Sequence, residues 1–268
     1  MTDSKKSGVY MMIELTTSYS FYGVPYTTYD ALDAYAEDVL RSAKPDALLS
    51  PCPIDAAWFV EFYLGLEVVY KRMSYDRNIL GMTAFNAGYV QIHNEQTGSP
   101  DALLVDTGTV IIEPALTSKR NRPRLRFSLM HEGAHWLIHR KAFSVDNPCG
   151  SVGKYENQYL AAKEGRIDYS RSRSERTDIE RIERQADFLA AAILMPKTTL
   201  RMAYRDFFKF YGEKPRKIIR GKSSADDCYA ELLPAYIAKT FDVSKRAALI
   251  RLEKLGAITG SYNQGQTA

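Results

Sequence analysis

Residues 124–143 read RLRFSLMHEGAHWLIHRKAF, and this stretch decides how the rest of the chain is read. Phe127, Met130, Ala134, Leu137 and Ile138 recur at three- and four-residue steps, the spacing of an amphipathic helix. On such a helix His131 and His135 stand about 40° apart and one turn up. Both imidazoles can therefore converge on one point from a single rigid rod. Glu132 is offset from His131 by about 100°, within reach of a water at that point without being a ligand itself. The pattern is HExxH, and its chemistry is specific. Two neutral imidazole nitrogens suit zinc, which takes three protein ligands in catalytic sites and leaves a fourth position to water.

The third ligand must come from elsewhere in the chain. Four histidines are present, and the three cysteines (Cys52, Cys149, Cys228) are too isolated to form a thiolate pair. The next strong helical pattern is TDIERIERQADFLAAAILMP, residues 177–196, where Glu183 and Asp187 lie four apart on one face. Glu183 is the expected oxygen ligand. Asp187, one turn further, is placed to accept the free ring N–H of a zinc-bound histidine, His131 by preference, and so fix its tautomer. Ala186, Ala190 and Ala191 are small enough to let this helix approach the HExxH helix closely, and Met195-Pro196 stops it. His139 lies eight residues beyond His131, ~12 Å along a helix, too far for one ion to bind both. It is expected behind the ligands or exposed. His93, in the strand-like YVQIHN, is expected to be an ordinary strand residue.

Composition excludes several classes. Hydrophobic residues make up 45% and charged residues 25%, values of a folded globular chain rather than a disordered one. With 36 basic and 32 acidic residues, the net charge of +4 is too small to argue for nucleic acid alone. An odd cysteine count without paired spacing argues against a secreted disulfide framework. The longest apolar run, Phe188 to Met195, falls far short of the ~20 residues a membrane span needs. Glu14 interrupts the N-terminal apolar stretch, which makes a poor signal peptide. The expectation is a soluble cytoplasmic protein.

The remaining pattern suggests an α+β fold with a small, mostly antiparallel sheet and active-site helices. Tyr29, Leu32, Ala36, Val39, Leu40 and Ala43 form a helical stripe, and a second helix is expected after Pro53. Strand-like segments follow at 66–70, at NILGMTAF and YVQIHN around a turn at 86–88, and at GTVIIE, residues 108–113. Beyond that the pattern is helical. Residues 1–20 read as a tail, 21–200 as the catalytic domain with an insertion at about 144–178, and 201–268 as a helical C-terminal subdomain. Lys209–Lys222 reads as a solvated basic connector.

These residues resemble the ImmA/IrrE family of prokaryotic zinc metallopeptidases. RLRFSLMHEGAH is similar to the family's R-x-R-F-T-x-x-H-E-x-x-H, and ERQADFLAAAILMP to its E-x-x-A-[ND]-x-F-A-A-x-L-L-M-P. IAKTFDVSKRAALIRLEKLG is a weaker likeness to the family's helical close. The resemblance implies a gluzincin-like, hence zincin-like, core with His131, His135 and Glu183 as ligands and Glu132 as base. It also implies a zinc-dependent endopeptidase in the cytoplasm that cleaves a helix-turn-helix repressor in mobile-element or stress control. Manganese is the other ion left open. The sequence departs from the family at Gly133-Ala134, where leucine-glycine is common, and in the long separation from His135 to Glu183.

The oxyanion donor is not identified, and Tyr155, Tyr159 and Tyr169 in the insertion are candidates. Arg120, Arg122, Arg124 and Arg126 are read as structural and solvent contacts. Two other readings compete. The rhythm of residues 238–255 is helix-turn-helix-like and the basic stretch before it can track phosphates, so 209–256 is a candidate DNA-binding surface, against which Arg251 and the neighbouring Lys245 and Arg246 are few and the net charge is modest. Alternatively the zinc fold serves as a non-proteolytic stress sensor or toxin–antitoxin partner. Gly221-Lys222-Ser223 lacks the glycine a phosphate loop needs five residues earlier, where Arg216 stands.

Overall fold

A computed structural model describes residues 13–143, the backbone of 159–163, and 178–260. A two-residue pairing of β1 (Ser18–Tyr19) with β2 (Pro25–Tyr26) precedes α1 (Tyr29–Ala43). Thr28 caps α1, its hydroxyl oxygen accepting the Ala31 N–H. The helix expected after Pro53 starts at Ala56, because Asp55 accepts the N–H groups of Ala57 and Trp58. This short α2 (Ala56–Trp58) widens into a π-helical turn over Phe59–Tyr63.

The strands are β3 (Glu67–Tyr70), β4 (Ile79–Ala84), β5 (Gly88–His93), β6 (Pro100–Val105), β7 (Thr109–Ile112) and β8 (Tyr159–Lys163). Four of them form a sheet in the order β3-β7-β4-β8. The β3–β7 pairing is parallel, whereas β4 runs antiparallel to both β7 and β8. β4 and β5 form where the sequence places them, yet they do not pair with each other. β4 is buried over its last four residues and has both edges occupied, so β5 pairs instead with β6 in a separate antiparallel hairpin. The sequence gives no sign of β6, since Pro100–Asp101–Ala102 and Leu104 are exposed and no alternation marks a buried face.

The helices that follow are α3 (Arg122–Ile138), α4 (Arg140–Phe143), α5 (Asp178–Leu194), α6 (Lys197–Phe210), α7 (Ser224–Phe241) and α8 (Lys245–Lys254). α3 is not the half-exposed helix its pattern suggests: from Ser128 to Trp136 every residue is buried. It lies between β4 and α5, and α5 in turn packs on α1. Ala134, Ala186 and Ala190 are fully buried, which allows the close approach of α3 and α5. Apolar residues of α6, α7 and α8 (Phe208, Leu233, Phe241, Leu252) join the same core as those of α1 and α3. Among the described residues no helix is long and apolar enough to cross a membrane.

The segment read as a solvated basic connector is pinned down. β9 (Ile218–Ile219) makes a parallel pairing with β10 (Ile258–Thr259), Ile218 is buried, Arg216 pairs with Asp226, and Arg220 with Glu253. Nor is Arg251 a phosphate-facing residue. It is 1% exposed and its guanidinium is held by Asp33 of α1 and by the Met195 carbonyl. Removing one partner of a buried ion pair strands the other charge, at a cost of about 3–5 kcal/mol. Asp33→Ala is therefore expected to lower the thermal midpoint by about 10 °C, read by calorimetry. A drop below about 2 °C would show that the pair contributes little.

Candidate metal centre

α3 and α5 bring the chemistry together. His131 Nε2 and His135 Nε2 are 2.9 Å apart, with their ring planes at 79°. From α5, the two carboxylate oxygens of Glu183 lie 3.4 Å from His131 Nε2 and 3.7 Å from His135 Nε2. One donor atom from each of the three residues fits within a 4.8 Å span. Donors bound tetrahedrally to one ion at the usual zinc bond lengths stand about 3.3 Å from each other, and these separations bracket that value. His131, His135 and Glu183 can therefore hold a metal ion.

The contacts behind the donors bear on which ring nitrogens carry protons. Asp187 Oδ1 lies 3.0 Å from His131 Nδ1, so a neutral His131 donates there and turns its Nε2 lone pair inward. His139 is fully buried, with its Nδ1 3.0 Å from His135 Nδ1 and its Nε2 3.0 Å from Gln185 Oε1. In the neutral tautomers two lone pairs face one another at 2.9 Å beside a carboxylate, an arrangement that demands a positive charge between them. A proton or a cation can supply it. Burial works against charge on His131, but the Asp187 and Glu183 carboxylates outweigh it and hold that imidazole well above the ordinary histidine range. Burial pushes His135 well below that range.

The Glu132 carboxylate meets the sheet at β4. It is fully buried, and Thr83 of β4 donates its hydroxyl to Glu132 Oε2 at 2.7 Å. Oε1 has no hydrogen-bond partner among the described residues. Burial pushes the Glu132 carboxyl up to about 7. The room for it comes from Gly81, where a Cβ would lie 2.5 Å from Oε1. Gly133, the departure inside the motif, has a comparable cause: a Cβ there would meet Leu64 at 3.1 Å and Val60 at 3.3 Å.

Beside the centre is a cavity of about 300 Å³ with an apolar lining that includes Phe127, Phe188, Ala191, Ala247 and Ile250. Asp187 also lines it, and the Phe127 ring is 6.4 Å from that of His131, so the cavity adjoins the donors. Arg124, Arg246 and Lys254 add basic groups to its wall.

Other candidates fall elsewhere. Arg122 and Arg126 reach Asp242, which caps α7 in the left-handed conformation, so they tie α3 to α7. Arg120 and Arg124 are exposed. His93 sits in the β5–β6 hairpin with its ring edge-on to Tyr75. Tyr155 and Tyr169 lie outside the described residues. Tyr159 is placed only as backbone, opposite Ala84. Sequence reasoning missed Gly81, Thr83 and Gln185. The first two meet Glu132 only through the position of β4 against α3, which no local pattern encodes.

Residues 156–253 match the family model described as IrrE N-terminal-like domain, a peptidase family. The match agrees with the resemblance to the ImmA/IrrE family. It takes in Glu183 and Asp187 on α5 and continues into α8, and it starts beyond α3, which carries His131, Glu132 and His135. No curated protein matches the chain.

Proposed function

With the IrrE N-terminal-like match as premise, we propose that the chain is a zinc-dependent endopeptidase with a zincin-like core. The observation that carries this reading is the convergence of His131, His135 and Glu183 beside a buried carboxylate, Glu132. The donor set of two nitrogens and one oxygen suits zinc. A cation held there would supply a water acidified to a pKa of about 7 and would polarise the scissile carbonyl. Glu132 is the base that takes the water's proton and returns it to the leaving amine. Asp187 holds His131 in the tautomer that binds metal. Thr83 and Gly81 hold Glu132 in place.

The adjoining cavity favours a substrate that offers a bulky apolar side chain, and its basic wall favours an acidic neighbour. A helix-turn-helix repressor, the substrate class that the resemblance implies, is the proposed partner.

Metal analysis tests the reading directly. Purified protein is expected to hold about one zinc per chain, and Glu183→Ala to weaken zinc binding by more than about 100-fold, beyond the usual effect of an outer hydrogen-bond partner. A variant that keeps its zinc would remove Glu183 from the centre.

A further inference from the structure

Behind His135 runs a chain of hydrogen bonds that leaves the metal centre and ends on the N-terminal hairpin. Gln185 Nε2 donates to the Pro25 carbonyl at 2.7 Å. A backbone carbonyl only accepts, so this contact fixes which end of the Gln185 amide is NH₂. Its Oε1 therefore faces His139 Nε2 at 3.0 Å and requires a hydrogen there. With Nε2 protonated, a neutral His139 presents Nδ1 as a lone pair. His139 Nδ1 then accepts from His135 Nδ1 at 3.0 Å. His135 is left with a single proton, on Nδ1, and its Nε2 lone pair faces His131 and Glu183.

We propose that His139 and Gln185 are positioning residues that lock His135 in its metal-binding tautomer, with the Pro25 carbonyl as the fixed end of the chain. His131 has a carboxylate, Asp187, for the same purpose. The two ligands of one motif are thus oriented by different chemistry. A carboxylate makes His131 a more basic ligand and leaves negative charge beside it, whereas the neutral chain behind His135 adds none. It suits a ring buried beyond reach of water, where a second carboxylate would carry a large desolvation cost.

The proposal rests on the metal-centre reading, and its test uses zinc affinity and ring-proton spectra rather than proteolysis. The spectra are taken on the metal-free protein, so the tautomer is read independently of metal. His139→Phe keeps an aromatic ring and removes the acceptor. It is expected to abolish the single Nδ1–H tautomer of His135 in histidine-selective nitrogen–proton spectra and to weaken zinc binding about 10–100-fold. His139→Asn restores an acceptor near the same place and is expected to recover most of the affinity and the Nδ1–H signal. Gln185→Met, of similar length but without the amide, touches no ligand and provides the same test should the Phe variant fail to fold. It is expected to weaken zinc binding and to broaden or shift the His135 Nδ1–H resonance. Wild-type affinity in both His139→Phe and Gln185→Met, or Asn no better than Phe, overturns the proposal. Wild-type protein that binds no zinc overturns the metal-centre reading, whereas zinc-binding wild type without a His135 Nδ1–H signal in the metal-free spectra overturns the tautomer lock alone.

Discussion

Glu132→Gln is expected to lower peptide-bond cleavage by about 10²–10⁴-fold while zinc stays bound at its wild-type stoichiometry. The amide has nearly the shape of the carboxylate and can still accept the Thr83 hydroxyl through its oxygen. It cannot take a proton from water. Its nitrogen falls where a fully buried oxygen, Oε1, makes no hydrogen bond among the described residues, so the exchange disturbs little else. Zinc content and cleavage of a helix-turn-helix repressor, measured on the same sample, give the result. Cleavage at the wild-type rate would place the base elsewhere, and loss of zinc would make Glu132 part of the metal shell.

A methyl group at position 81 is expected to produce the second large effect, at a residue that touches neither metal nor substrate. In Gly81→Ala the new Cβ would sit 2.5 Å from Glu132 Oε1 and 3.0 Å from its Cδ and Cγ. Those atoms belong to a side chain rather than to backbone, so the carboxylate moves and the sheet stays. A displacement of about 1 Å at a reacting group costs on the order of 10²-fold in rate. The thermal midpoint and zinc content are expected to stay near wild type while turnover falls. Unchanged turnover would show that Glu132 does not need the space that Gly81 leaves.

The two predictions differ in how far the sequence alone would have reached them. Glu132 stands inside a local pattern, because helical spacing carries His131, Glu132 and His135 in nine consecutive residues together with His139. Glu183 and Asp187 are legible for the same reason: a four-residue step on a helix encodes a shared face. Gly81 and Thr83 lie about fifty residues from Glu132, and their contact depends on how β4 lies against α3. Gln185 is plain in the sequence, but its acceptor at Pro25 is 160 residues away. The amphipathic look of α3 misleads in an instructive way. Its polar positions, Ser128, His131, Glu132 and His135, are buried, so what reads as a solvent face holds the candidate centre. Arg251 misleads similarly, since a basic residue in a helix-turn-helix rhythm proves to be the partner of Asp33 in the core.

The position of β4 within its sheet bears on how a substrate would lie. Both rows of its backbone donors and acceptors are engaged, by β7 on one side and β8 on the other. An extended polypeptide looking for main-chain pairing finds no vacancy on the strand nearest Glu132. Among the described strands of this sheet the openings are at β3 and β8, its two ends. β8 comes from the long stretch that separates the two donor-bearing helices. A substrate strand added to this sheet would therefore lie at least one strand away from the one that holds Glu132.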